Sequence, residues 1–309
     1  MFRYLMRARC ELFAAVVFSS SFVFCQQPKL GEWTELIKKD QCKAAEQLCA
    51  PFASSAQIAE QVEAEKCLAN VALCGHGALQ LQGDDTGGGT LGEGYEGDAV
   101  DQALVHLNRG LQLAPQDVTL HQGRLHVLEV ATRYNDMIKA LDESCSIYKG
   151  ADAPDVWIAY SAELADLRQL NVGVEFLKVV DKHYPHSPDV LGNIGAFLDM
   201  LKRDDEAIPY LLQAVELAPK DPINAWDLAR AYDYAEQVPS ADLWYKKALA
   251  LETDSSRLRE MHCMYAEFIE KKLKDAPRAC VLEKQSCEEE KQTACAASTT
   301  ASVPSPKSR

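Results

Sequence analysis

The plainest chemistry in the chain belongs to four cysteines near its N-terminus, Cys42 and Cys49, then Cys67 and Cys74, two pairs with the same seven-residue spacing. They fall in two helical stretches, 32–50 and 56–81, parted by the breaker run Pro51-Phe52-Ala53-Ser54-Ser55. Seven residues is nearly two helical turns, about 10 Å along the axis, whereas a disulfide needs Cα atoms within about 7 Å, so neither pair closes on itself. In an antiparallel hairpin the numbers of facing residues add to a constant. Cys42 with Cys74 gives the same total as Cys49 with Cys67, which predicts those two bridges. A four-thiolate metal site is an alternative, but it lacks the short C-x2-C knuckles of structural zinc. Four free buried thiols are the other alternative.

Elsewhere the chain carries no G-x-S-x-G, H-E-x-x-H, P-loop or C-x-x-C. The run 83–97, GDDTGGGTLGEGYEG, ends in a formal G-x-G-x-x-G. No strand precedes it, and Glu93, Glu96 and Asp98 would repel a pyrophosphate, so it reads as a flexible insertion. Asp84 and Asp85 lack the alternating ligand order of a calcium loop. His183 and His186 flank Pro185 at a turn, and His121 and His126 are five apart on a helix, which points them to different faces. No catalytic residue, metal set or cofactor is therefore expected.

At the N-terminus Arg3, Arg7 and Arg9 precede the apolar run 12–24, which stops at Cys25-Gln26-Gln27-Pro28. That is the layout of a secretory signal peptide over 1–25, and its 13 apolar residues are short for a membrane span, which takes about 20. An uncleaved anchor, or lipid attachment at Cys25, would be the only membrane link. Cleavage removes three arginines and one glutamate, taking the formal charge from −14 to −16. Such a charge disfavours nucleic acid and anionic membrane surfaces and favours a basic segment of another protein, or simply keeps an exported chain soluble. Export to a periplasm or to the medium also supplies the oxidising compartment that the two bridges need.

Behind these residues stands a repeat. Aligning 154–187, 188–221 and 222–255 places apolar or small residues at the same offsets: Trp157, Tyr160, Leu164, Leu177 and Val180 in the first; Leu191, Ile194, Leu198, Leu211 and Ala214 in the second; Ala225, Leu228, Tyr232, Tyr245 and Ala248 in the third. Spacings of three and four mean helices, two per unit. One small residue follows an apolar knob on the first helix (Ser161, Gly195, Ala229) and another opens the second (Gly173, Ala207, Ala241), so the paired helices can pack closely. Pro185 and Pro219 stop the second helix of two units, and Thr253 replaces proline in the third. The period and pattern resemble the tetratricopeptide repeat.

The resemblance implies an all-α fold, a right-handed helical-hairpin solenoid that binds peptides on its concave face, here with a disulfide-stapled N-terminal helical hairpin over 26–83. It also implies which first-helix residues face a ligand: Asp155, Asp166, Asn193, Asp199, Trp226, Asp227, Arg230, Asp233 and Tyr234. Carboxylates dominate this set, with an aromatic patch at Trp226 and Tyr234, although Trp226 is equally compatible with the core between repeats. The lysine and asparagine set by which some members clamp a C-terminal carboxylate is missing.

Reading outward, the repeats span 98–255. Ala103, Leu107 and Gly110 keep second-helix offsets, the matching first helix lies in 56–81, and the insertion 84–97 parts the two. The unit 118–153 is degenerate, at 36 residues. A capping helix pair over 256–291 closes the array, and a disordered tail follows over 292–309. Cys263 bridges to Cys280 or Cys287, while Cys145 is expected as a buried free thiol and Cys295 as an exposed one. The functional expectation is a non-enzymatic exported scaffold binding a basic and apolar protein or peptide segment. A structural subunit of a cell-envelope assembly, and a disulfide-rich helical-repeat enzyme of hydrolase or thiol-redox type, are the alternatives.

Overall fold

The computed structural model describes residues 30–74, 97–150, 152–287 and 295, and every regular element among them is helical. The expected signal peptide, all of the expected insertion except Gly97, and all of the expected tail except Cys295 lie outside the described residues. No helix among the described residues is long and apolar enough to cross a membrane. The chain divides into two compact units between Pro115 and Gln116.

In the first unit, α1 (Trp33–Lys38) and α2 (Cys42–Cys49) replace the single helix expected over 32–50. The break has a local cause: Asp40 takes a left-handed φ of 55°, and Gln41 N–H returns to Leu36 O at 2.8 Å, closing α1. After a 3₁₀ segment (Ala50–Ser54) comes α3 (Ile58–Leu73). Trp33, Ala45, Cys49 and Cys67 form the core of this corner, and Trp33 Nε1 donates to Glu63 Oε1 at 2.7 Å. Disulfides join Cys42 to Cys74 and Cys49 to Cys67, with Cα separations of 5.6 and 6.3 Å. Closing loops of 18 and 32 residues restricts the unfolded chain by roughly 3–4 kcal/mol each in the chain-entropy account. The fourth helix, α4 (Gly97–Leu113), packs along α3 through buried Val100, Ala103 and Leu107.

The second unit is a run of helix pairs: α5 (Val118–Val130) with α6 (Tyr134–Ile147), α7 (Ala153–Asp166) with α8 (Leu170–His183), α9 (Pro188–Met200) with α10 (Asp204–Leu217), and α11 (Pro222–Tyr234) with α12 (Val238–Leu251). The second helices α8, α10 and α12 begin and end 34 residues apart. Two local devices set these bounds. Asp117, Ser187, Asp221 and Asp254 accept N–H bonds from the first turns of first helices. Each turn between paired helices ends in a Schellman motif whose left-handed residue is not glycine: Thr132, Arg168, Lys202 and Glu236, with φ of 55–61°. The following N–H groups of Arg133, Gln169, Arg203 and Gln237 reach back to Leu128, Leu164, Leu198 and Tyr232 at 2.8–2.9 Å.

Apolar faces meet in a core led by Trp157, Phe176, Leu164, Leu177, Ile194 and Leu198, each contributing about 1.5–3 kcal/mol by burial. Small residues sit where the helices approach most closely. A Cβ on Gly195 would collide with Leu211 across the α9–α10 contact, and one on Gly173 with Phe197 from the next pair. The final pair is α13 (Ser255–Phe268), running on through a π turn (Ile269–Leu273), and α14 (Ala276–Ser286). Cys263 bonds Cys287, and Cys280 bonds Cys295. Cys295 is therefore not the free thiol expected from the sequence: it is bonded to Cys280, with Cα atoms 4.5 Å apart. Cys145 is the free cysteine among the described residues, and it is buried.

Two substitutions involving glycine should act in opposite directions. Thr132→Gly relieves a β-branched side chain held at positive φ and should raise the unfolding free energy by about 0.5–1 kcal/mol. Gly195→Ala overfills the α9–α10 contact and should lower it by about 1–3 kcal/mol, both read from urea midpoints.

Candidate peptide-binding face

The first helices α9 and α11 carry the densest group of the expected ligand-facing residues. Asp199, one residue before the end of α9, is only 3% exposed, and Arg230 of α11 meets its Oδ2 at 2.5 Å. The same guanidinium stands 3.6 Å from Asp227 Oδ1, so Arg230 ties two carboxylates on neighbouring pairs together. Oδ1 of Asp199 and Oδ1 of Asp204, at the start of α10, both lack a donor, and the two carboxyls face each other. Burial and the contact with Asp199 lift the Asp204 carboxyl to about 6. Burial likewise lifts Asp227 to about 6, against the pull of Arg230. Tyr234 closes the group: it is 49% exposed, with Lys202 Nζ 4.2 Å above its ring.

The other expected residues are placed differently. Trp226 is 7% exposed and packs its ring against Tyr245 at 4.7 Å between centroids, so of the expected aromatic patch only Tyr234 presents a broad surface. Asp233 is drawn toward the last pair, accepting from Tyr245 Oη at 3.4 Å with Lys272 Nζ 3.9 Å away, and burial still raises its carboxyl. Asn193 donates back into its own helix at Asp189 O, 2.8 Å. Asp155 and Asp166 are exposed on α7, apart from the α9–α11 group.

Sequence reasoning passed over four residues of this face. Lys202 lies in the turn and Asp204 is the first residue of a second helix, so neither is on a first-helix face. His126 and Glu129 lie in the degenerate unit, yet counting from Val118 they hold the ninth and twelfth offsets, those of Arg230 and Asp233, so the same count extended one unit back would have found them. Glu129 is buried and accepts from Tyr160 Oη at 2.7 Å. A separate cleft of about 420 Å³ is lined by Lys246, His262, Tyr265 and Arg278, but Lys246 and Arg278 are both engaged with Asp242.

No protein-family model matches the chain, and no curated protein matches it. Among solved structures it is similar to MamA 41-end from Desulfovibrio magneticus RS-1, at 21% identity over 56% of this chain and 95% of that one, with a TM-score of 0.43. PilW, described as a widely conserved type IV pilus biogenesis factor, aligns at 20% identity over 64% of this chain and 92% of its own, TM-score 0.42. YrrB, described as a TPR protein with an unusual peptide-binding site, aligns at 18% over 50% and 79%, TM-score 0.35. At those identities and scores the likenesses carry no functional argument. The fold rests on the chain's own 34-residue helix pairs, with small residues at each close contact. The second unit is a tetratricopeptide-repeat-like array of helix pairs. In this repeat array Asp199, Asp227 and Arg230 lie on first helices, Lys202 lies in the turn between α9 and α10, and Asp204 opens α10.

Asp204 and Asp227 hold their protons more tightly folded than unfolded, where a carboxyl titrates near 3.9. The folded state therefore gains stability as pH falls through about 6, and the gain is complete near pH 4. The denaturation midpoint should rise between about pH 7 and pH 5, and Asp227→Asn should shrink that rise. An unchanged slope in the variant would contradict the assignment.

Proposed function

We propose that this chain is a non-enzymatic, exported scaffold that binds an extended, basic and apolar segment of another protein along the face of its first helices, taken as the concave face of the array. The observation that carries the reading is the Asp199–Asp227–Arg230 group beside half-exposed Tyr234. Two carboxylates share one guanidinium, so an incoming lysine or arginine could take over Asp227, while Tyr234 offers apolar area and a ring face to the rest of the segment. A rigid helix-pair face loses little ordering entropy on binding.

Export is supported by the signal-like N-terminus and by four disulfides, which are characteristic of an oxidising compartment. The thiol-redox alternative is weakened by Cys145, whose thiol burial pushes up to about 12, the opposite of a reactive thiolate.

Fluorescence anisotropy with labelled extended peptides tests the reading. A peptide alternating lysine and leucine should bind the full chain with an affinity that falls with salt, and its glutamate analogue should not bind. Tyr234→Ala with Asp227→Lys should weaken binding by about tenfold or more, equivalent to about 1.4 kcal/mol. Equal affinity in wild type and the double variant would overturn the site.

A further inference from the structure

On the same array, α5 and α7 bring together a donor set that the peptide reading does not use. His126 and Glu129 are three residues apart on α5 and so share one face of it, and Glu163 reaches them from α7. One ligand atom from each of the three lies within 4.8 Å of the others. We propose that His126, Glu129 and Glu163 form a binding site for one divalent transition-metal ion of the zinc class.

Three observations converge on this. The first is spacing: His126 Nδ1 stands 3.4 Å from Glu129 Oε2, which is the separation of two ligands on a tetrahedral ion with bonds of about 2.0–2.2 Å. Glu163 is at the solvent edge of the cluster, where a change of rotamer can bring its carboxylate in.

The second is an unmet electrostatic demand. Glu129 is 3% exposed, and its Oε1 has no hydrogen-bond partner. No lysine or arginine of the described residues pairs with Glu129 or Glu163. A buried carboxylate of this kind is costly unless a cation compensates it.

The third is support around the ligands. Tyr160 Oη donates to Glu129 Oε2 at 2.7 Å, and the Tyr160 ring is itself buried and stacked on Phe176 with centroids 5.4 Å apart. A ligating carboxylate oriented in this way by a fixed outer donor is the usual construction of a metal site. One imidazole nitrogen with two carboxylates suits zinc, cobalt, nickel or manganese; calcium and magnesium take all-oxygen sets, and copper(I) takes sulfur. Three protein ligands leave at least one position open, in contrast to the closed sets of four in structural zinc sites. Among the described residues a second possible donor group, Asp40 with Cys42 and Cys74, is spent: the two sulfurs are bonded to each other.

The test is calorimetric titration of zinc into the tag-free, chelator-stripped full chain, paralleled by cobalt(II) absorption. Wild type should bind one ion per chain, and cobalt should develop visible d–d bands. His126→Ala should abolish both signals, Glu163→Gln should weaken binding by at least about tenfold, and Asp155→Asn, exposed on the same α7, should leave it unchanged. Apo melting curves confirm that each variant is folded; Glu163 is at the solvent edge, so Glu163→Gln decides the matter should His126→Ala unfold. No heat up to about 100 µM zinc, or equal binding by wild type and Glu163→Gln, would overturn the proposal.

Discussion

The close approach of paired helices is the constraint on which the rest of the second unit depends. It is possible because Gly195, Ser161, Ala229, Gly173, Ala207 and Ala241 offer no bulk where a facing side chain such as Leu211 or Phe197 needs the space. Once two helices are held at that distance, their apolar stripes close on each other, and the next pair can add only in the same way. The 34-residue period is the sequence trace of this packing. It also fixes which offsets of a first helix remain outside the core, and so which side chains are available for chemistry.

That geometry has an electrostatic consequence. Acids placed outside the core on successive first helices, and at the start of a second helix beside them, are brought toward one another in partly desolvated surroundings, in a chain already carrying a formal charge of −14. The structure answers in different ways along the array. At Asp199 and Asp227 a single arginine bridges the pairs; at Asp204 the answer is proton uptake near pH 6; at Asp233 a lysine from the closing pair stands by. At Glu129 a tyrosine hydroxyl and a neighbouring imidazole meet one carboxylate oxygen and leave the other without a partner. Carboxyls held in such tension cost folding stability at neutral pH, and they gather where a ligand could relieve them.

Covalent staples lie in the first unit and in the last helix pair. A terminal helix pair has a neighbour on one side only and buries less apolar surface than an internal one. Cys42–Cys74 and Cys49–Cys67 lock α2 to α3, and Cys263–Cys287 with Cys280–Cys295 lock α13, α14 and the residue beyond them. The internal pairs carry no disulfide among the described residues, and their one cysteine, Cys145, is an ordinary buried apolar side chain.

Helix existence, the two-helix unit and the pairing of the first four cysteines could be read from residue order, because a helix writes its buried face at intervals of three and four and an antiparallel hairpin relates positions by a fixed sum. Where the chain departs from such regularity, the reading stopped. Asp40 splits the first helix through a backbone conformation that no periodicity records, and the Cys280–Cys295 bridge joins positions that no helical spacing relates. Offsets named the helix face but not its rotamers or neighbours: Trp226 turned inward onto Tyr245, Arg230 reached across to Asp199, and Lys202 came over Tyr234 from a turn. His126, Glu129 and Glu163 meet only because α5 and α7 are packed at one particular distance and rotation. Sequence by itself determined the helices and their period, since those are local properties of the chain. Tertiary structure alone decided which side chains from different helices share an ion, a proton or a ring, since that depends on cross-helix register within a fraction of an ångström.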